Sequence, residues 1–386
     1  MRKLICEKCM AVFQQDETHL CGGCGDECYD FTNNDEFLLT QAPRVIAKRR
    51  ADGLEGLVGG LECVIINTEP DRRQAAAEEL LKFTGLELDT AFEDDDFVTL
   101  VLKTEGSADF LIRSRKGDNP FPTPSPYPKA AHLPNTRLET FVFSVTDLRR
   151  YVDIQRANGV EFLTDDIAAA DTHLFIQAIP STFTDISIGF VQWLVPGRDY
   201  RTDGAQTIEI DIASPGPQRL SNVKELDHAA VRIAAQDRDA AIIEFMMLTN
   251  YNFEFSIYVK LFNSITNVSR LSKDDFALVF TSGIRPYVSD DASGPTEKFL
   301  HNYGPRVHHM AFRTEQIEDT FGQLKARNMD FLIGLVGSEA EGLKQTFSEA
   351  SPNTLLVNEY IRRYGDFTGF FSPKNVMLLT GSTDKQ

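Results

Sequence analysis

One stretch of this 386-residue chain repeats another, and the two copies differ where metal ligands would sit. Shifted by 169 positions, Arg137-Leu138-Glu139-Thr140-Phe141-Val142-Phe143 falls on Arg306-Val307-His308-His309-Met310-Ala311-Phe312, and Gly159-Val160-Glu161-Phe162-Leu163 falls on Asn328-Met329-Asp330-Phe331-Leu332. A shift of 165 places Leu61-Glu62-Cys63 on Leu226-Asp227-His228, and one of 167 places Gln192-Trp193 on Glu359-Tyr360. The matched positions read Cys63, Thr140 and Gln192 in the first copy and His228, His309 and Glu359 in the second. Two imidazoles and one carboxylate form the ligand set of mononuclear non-haem iron(II) sites, which leave positions open for oxygen and substrate. The repeat therefore predicts a duplicated scaffold with iron in its second half and none in its first.

Each copy reads as strand, helix, then further strands, twice over, which makes the chain α+β. In the first copy (56–200), Leu61–Asn67 has the pattern of a buried strand. Asp71–Thr84 follows as an amphipathic helix, and Phe97–Lys103 and Ala108–Ser114 as strands. A loop over Gly117–Asn135 with six prolines divides the copy. Strand Glu139–Val145, helix Asp147–Asn158 and strands Leu174–Ala178 and Ser187–Leu194 complete it. Residues 201–221 read as a linker. The second copy (222–386) repeats the order, with strands at Asp227–Ala234, Phe276–Ser282, Val307–Arg313 and Leu355–Arg362 and helices at Arg238–Leu248 and Ile317–Asn328.

Five of the six cysteines lie in the first 28 residues. Cys6-x-x-Cys9 and Cys21-x-x-Cys24, with glycines in the second knuckle, can deliver four thiolates to zinc, so residues 1–36 are expected to form a zinc ribbon. Cys28 and His19 are left outside that shell. Residues 37–55, including Lys48-Arg49-Arg50, read as a solvated linker. The net charge of −18 and the acidic ribbon argue against nucleic acid as a partner. They leave a structural role or a protein partner for the ribbon, with a homo-oligomer also open. No apolar run is long enough for a membrane span, and the N-terminus lacks a secretory core, which points to the cytoplasm.

Strand alternation puts His309 on one face of its strand and its neighbour His308 on the other. His309 is preferred as the ligand because Thr140 occupies its repeat position, whereas His308 aligns with the charged, outward Glu139. His132, His173 and His301 have no partners at ligand spacing and read as surface residues.

The second copy resembles 4-hydroxyphenylpyruvate dioxygenase in Leu226-Asp227-His228, in Glu297-Lys298-Phe299-Leu300 ahead of Val307-His308-His309-Met310-Ala311-Phe312, and in Asn358-Glu359-Tyr360-Ile361-Arg362-Arg363-Tyr364-Gly365 followed by Gly369-Phe370. The likeness covers roughly residues 55–380. It implies the vicinal oxygen chelate fold, in which paired βαβββ units form half-barrels, with a metal-free first module. It also implies Fe(II) on His228, His309 and Glu359, a 2-oxo acid held through its carboxylate and keto oxygens, O2 as co-substrate, and oxidative decarboxylation with hydroxylation. Around the substrate the chain departs from the family. His308 replaces the glutamine before the second histidine, Pro295 replaces another glutamine, and Val288 replaces an amide. Phe370 matches one ring-stacking phenylalanine, while the other falls on Val376, and the family's closing helix is expected to be short or absent. Competing readings are an extradiol-type ring-cleaving dioxygenase, whose second-shell histidine, tyrosine and acidic-proline marks are missing, and a non-catalytic binding or regulatory protein that docks partners through the ribbon.

Overall fold

The repeat folds into two curved sheets of the same strand order. The protein is described by a computed structural model over residues 3–6, 12–14, 28–30, 33–121, 127–212, 216 and 219–386. The first 30 residues contribute a three-stranded antiparallel sheet, β1 (Lys3–Cys6), β2 (Val12–Gln14) and β3 (Cys28–Asp30), in the order β2-β1-β3. Its register sets Cys6 opposite Cys28. The other expected zinc ligands, Cys9, Cys21 and Cys24, lie outside the described residues.

The segment expected as a solvated linker is a helix instead, α1 (Glu36–Asp52), closed by Gly53 at φ 78°. Its Arg49 is buried and donates to the carbonyls of Met246, Thr249 and Tyr251 at 2.8–3.2 Å. These carbonyls belong to and follow the last turn of a helix in the second module, where a guanidinium satisfies orphan acceptors and opposes the negative end of the helix dipole. Only Lys48 and Arg50 of the basic cluster stay exposed, paired with Asp52 and Glu55.

In the first module, β4 (Val58–Asn67), α2 (Arg73–Phe83), β5 (Glu87–Glu93), β6 (Phe97–Lys103) and β7 (Asp109–Arg115) make one unit. A second unit comprises β8 (Arg137–Val145), α3 (Leu148–Ala157), β9 (Ala168–Ala169), β10 (His173–Gln177) and β11 (Ser187–Trp193). Part of the expected 201–221 linker, β12 (Gln206–Thr207), joins the sheet edge, giving the order β12-β5-β6-β7-β4-β8-β11-β10-β9. The second module comprises β13 (Val223–Arg232), α4 (Arg238–Leu248), β14 (Asn252–Val259), β15 (Ser264–Arg270), β16 (Ala277–Gly283), α5 (Pro295–Tyr303), β17 (Arg306–Thr314), α6 (Ile317–Ala326), β18 (Val336–Ser338), β19 (Leu343–Phe347), β20 (Val357–Arg363) and α7 (Pro373–Ser382). Its order, β14-β15-β16-β13-β17-β20-β19-β18, is that of the first sheet without the extra edge strand. The closing helix is thus present and short.

Alternation along these strands divides the buried side chains into two sets. Val64 and Ile66 of β4, Phe110 of β7, Ala229 and Val231 of β13 and Phe312 of β17 belong to one core shared by both modules and their helices. Phe110 and Phe312 stack across it with ring centroids 5.9 Å apart. The alternate residues face the two concavities, where the first module gathers Cys63, Ile65, Leu111, Val142 and Val191 and the second gathers Ala230, Val268, Val279 and Phe370. Burying the outer faces against each other and against helices fixes the register, since a slip of one residue would exchange the two sets.

Candidate metal centre

Three adjacent strands supply the triad. β13 pairs with β17 and β17 with β20 so that His228, Ala311 and Glu359 stand in one row, and His309 lies two residues along the same face from Ala311. The middle of the row is a methyl group, which leaves the space between His228 and Glu359 open. Glu359 Oε2 lies 3.2 Å from His228 Nε2 and 3.3 Å from His309 Nε2. The three ligand atoms all lie within 4.8 Å of one another. His228 and Glu359 have no exposed surface and His309 has 7%. None of the three converging atoms has a hydrogen-bond partner outside the triad. Buried polar atoms are ordinarily satisfied, so three orphans aimed at one point fit a missing cation. The donor set, two neutral imidazoles and a carboxylate, suits Fe(II).

The rest of each ligand is held from behind. His228 Nδ1 is 2.8 Å from Asp227 Oδ1, and Asp227 is gripped by both terminal guanidinium nitrogens of Arg363. Burial alone would raise the Asp227 pKa, but the bonds to His228 and Arg363 outweigh it and hold the carboxyl below its usual range. Gln345 donates to Glu359 Oε1 at 2.7 Å and to the Phe370 carbonyl at 2.9 Å, leaving Oε2 for the metal. Asn375 of α7 in turn donates to Gln345 Oε1. Such outer contacts fix the tautomer and orientation of metal ligands. Sequence reasoning missed Arg363, Gln345 and Asn375. A signal existed for Arg363, which alternates with Ile361 and Glu359 on one face of β20.

β-Bulges account for two departures from simple alternation. Between β13 and β17 the register skips Asp227 on one strand and His308 on the other. A bulge turns its extra residue out of the two-residue period. Asp227 can therefore reach the ring of its neighbour. His308 likewise does not point away from His309: their Nδ1 atoms are 2.8 Å apart, and His308 Nε2 is 2.7 Å from Gln386 Oε1. The first module repeats both bulges, skipping Glu62 and Glu139. Glu139, expected to face outward, is buried and accepts two bonds from Arg115.

In the metal-free protein the two ligand imidazoles titrate in opposite directions. Burial disfavours a charged His228, but Glu359 and Asp227 outweigh it and its pKa is pushed up to about 9. Burial, with His308, His228 and Arg232 nearby, holds His309 well below the ordinary imidazole value. One proton held by His228 between two carboxylates occupies the electrostatic place of a cation.

Of the residues expected around the substrate, Phe370 presents its ring edge-on to His228 with centroids 5.1 Å apart. Phe347 flanks His309 at 4.9 Å. Pro295 opens α5 and its carbonyl accepts from the buried Arg232, whose guanidinium lies over Phe299. Val288 is held in a turn by Ser293, and among the described residues no hydrogen bond or ring contact joins it to the triad. Val376 is buried on α7.

The first module's equivalent positions need one correction. Cys63 and Thr140 do match His228 and His309 in register, but the residue that matches Glu359 is Gly189, opposite Val142, and not Gln192. The Gln192 side chain instead accepts from the Leu148 amide at the start of α3. At Gly189 a Cβ would meet the side chains of Val142, Phe175 and Thr140 at 3.0–3.2 Å, so any side chain there would have to push these neighbours aside. His173, expected at the surface, is buried and faces the same concavity.

No protein-family model matches the sequence, and no curated protein sequence matches it. Solved structures do. A triple mutant of 4-hydroxymandelate synthase from Streptomyces coelicolor superposes with a TM-score of 0.59 at 18% identity, covering 85% of this chain and 98% of that one. A xylose isomerase-like TIM barrel/4-hydroxyphenylpyruvate dioxygenase fusion protein superposes with a TM-score of 0.59 at 11% identity, covering 90% of this chain and 58% of that one. At these identities the likeness is one of fold: the chain has the two-module vicinal oxygen chelate architecture.

Proposed function

We propose that the protein is an Fe(II)-dependent dioxygenase that decarboxylates a 2-oxo acid and hydroxylates the remainder. The observation that carries this reading is the convergence of His228 Nε2, His309 Nε2 and Glu359 Oε2, buried and unpartnered, in a fold shared with a hydroxymandelate synthase and a hydroxyphenylpyruvate dioxygenase. Iron held there would supply open coordination positions for a bidentate 2-oxo acid and for oxygen. The chain's own residues do the positioning. Asp227 accepts the Nδ1 proton of His228 and so keeps Nε2 free to ligate. Gln345 turns one oxygen of Glu359 away from the metal. Phe347 and Phe370 wall the site and exclude water. His308, Pro295 and Val288 stand where the resemblance places amides, so a substrate related to 4-hydroxyphenylpyruvate is favoured over that compound itself.

The test is an anaerobic Fe(II) titration of the whole protein with a panel of 2-oxo acids that includes 4-hydroxyphenylpyruvate. A true substrate is expected to give a visible charge-transfer band and then substrate-dependent oxygen uptake, both lost in His309→Ala. Iron binding with no band for any 2-oxo acid, but uptake with catechols, would favour ring cleavage instead. We also infer, from the cysteine spacing, that the N-terminal segment binds a structural zinc.

A further inference from the structure

The concave face of the first module encloses a cavity of its own. A space of about 860 Å³ opens there, walled by Ile65, Leu111, Val142, Phe175 and Val191. That volume is in the range of small-molecule sites. The apolar walls alone would describe a vestige. What they surround is different.

Arg113 on β7 is aimed into this cavity. Its Nε is buried with no hydrogen-bond partner, and its guanidinium lies 4.9 Å from the Phe97 ring centroid. Strand register places Thr99 on β6 and Asn67 on β4 directly beside it, so the three stand in one row across β6, β7 and β4. Thr99 Oγ1 and Asn67 Oδ1 are also buried and unpartnered, as is Thr140 Oγ1 nearby on β8. Isolated buried polar atoms of this kind cost stability, and of the four Arg113 Nε is the donor on a residue that lines the cavity. The neighbouring Arg115 carries no such signal, because Glu139 takes it bidentately.

We propose that the first module's concave face is a second binding site, for a small monocarboxylate with an apolar body, held by Arg113. A carboxylate is the acceptor that a guanidinium fork matches best. The cavity mouth is lined by Asp94, Asp95, Asp96, Asp118 and Asp203. That acidic rim disfavours dianions such as phosphates and dicarboxylates and tolerates a single buried negative charge. The body of the ligand lies against the aliphatic and Phe175 walls. This site is separate from the iron site, and its occupancy needs no metal.

The chain's single tryptophan reports on it. Trp193 lies on β11 with its ring 5.2 Å from Tyr200 and 5.4 Å from His173, both of which line the cavity. The experiment is a titration of metal-free, full-length protein with phenylacetate, phenylacetamide and phenylphosphonate, read by tryptophan fluorescence. Phenylacetate is expected to saturate, and the amide and the phosphonate to bind at least about ten-fold more weakly, the scale of one lost charge-assisted bond. Arg113→Gln should weaken phenylacetate by a similar factor in a protein that stays folded. Absence of saturation in the wild type, or equal affinity in a folded Arg113→Gln variant, would overturn the proposal.

Discussion

The Nδ1 atoms of His308 and His309 lie 2.8 Å apart, and that contact dictates the tautomers of both rings. If His309 ligates through Nε2, its proton is on Nδ1 and is donated to His308 Nδ1. His308 then carries its own proton on Nε2, facing Gln386 Oε1 at 2.7 Å. His308 is therefore a positioning residue for a metal ligand as well as a neighbour of the substrate pocket. His308→Phe is expected to weaken Fe(II) binding by about 10–100-fold, the usual cost of removing an outer partner of a ligand. His308→Asn, which can still accept a hydrogen bond, should restore part of it. Metal competition titrations measure both, and an unchanged iron affinity in His308→Phe would reduce its role to substrate contact alone.

Ala311 makes a second prediction that touches no ligand. It stands between His228 and Glu359 in the strand row, and the first module has Val142 there. Ala311→Val adds two methyl groups to a position with no exposed surface, on the side where the cation would lie. Overpacking of this kind costs about 1–3 kcal/mol. Iron affinity should fall at least about ten-fold while the far-UV spectrum stays that of the wild type. Retained stoichiometric iron would show that the metal sits farther from the sheet than the row implies.

These two residues also show what the sequence could and could not reveal. The triad was legible because repetition sets His228, His309 and Glu359 against positions in a copy that does not ligate, and because long strands such as Val307–Arg313 carry a clear two-residue period. The period fails at a bulge, and nothing in the residue types of Asp227, His308 or Glu139 marks one. Alternation and alignment therefore set His308 on the opposite face and Glu139 outward, and give Asp227 no role at all. Gly189 was missed for a related reason. A shift that matches Gln192-Trp193 to Glu359-Tyr360 rewards side-chain likeness, whereas backbone register selects a residue that has no side chain to compare. The α1 helix was hidden by Pro43 in its interior and by a basic cluster typical of solvated segments, since Arg49 reveals its purpose only where it meets the end of α4.

The metal-free protein is expected to be most stable near pH 6.5. The folded-state pKa of His228 is raised to about 9, so its contribution is complete below the unfolded value of about 6.5 and is lost as pH rises through about 9. His309 is shifted the opposite way, so the folded state binds fewer protons there than the unfolded chain and stability falls as pH drops below that same unfolded value. Thermal unfolding across pH in the presence of a chelator would show a bell. Saturating Fe(II) under anaerobic conditions should raise the melting temperature most on the alkaline side, where the proton on His228 no longer offsets the two carboxylates. A chelator-treated protein whose stability climbs steadily from pH 6.5 to 9 would contradict the assignment of the shared proton.

The N-terminal cysteines supply the last prediction. Cys6-x-x-Cys9 and Cys21-x-x-Cys24 are spaced for a closed tetrahedral zinc site, and β1 sets Cys6 across from Cys28 on β3. That pairing brings a fifth cysteine backbone beside the first ligand strand, so the identity of the fourth thiolate can be decided by substitution. Zinc content should drop to zero when Cys6 and Cys9 are replaced together, and remain at one per chain in Cys28→Ser. The iron content of both variants should be unchanged, because His228, His309 and Glu359 lie on β13, β17 and β20. Loss of zinc in Cys28→Ser with retention in Cys24→Ser would move Cys28 into the shell and Cys24 out of it. Full zinc retention in the Cys6/Cys9 double variant would remove the ribbon altogether and leave β1–β3 as a metal-free sheet.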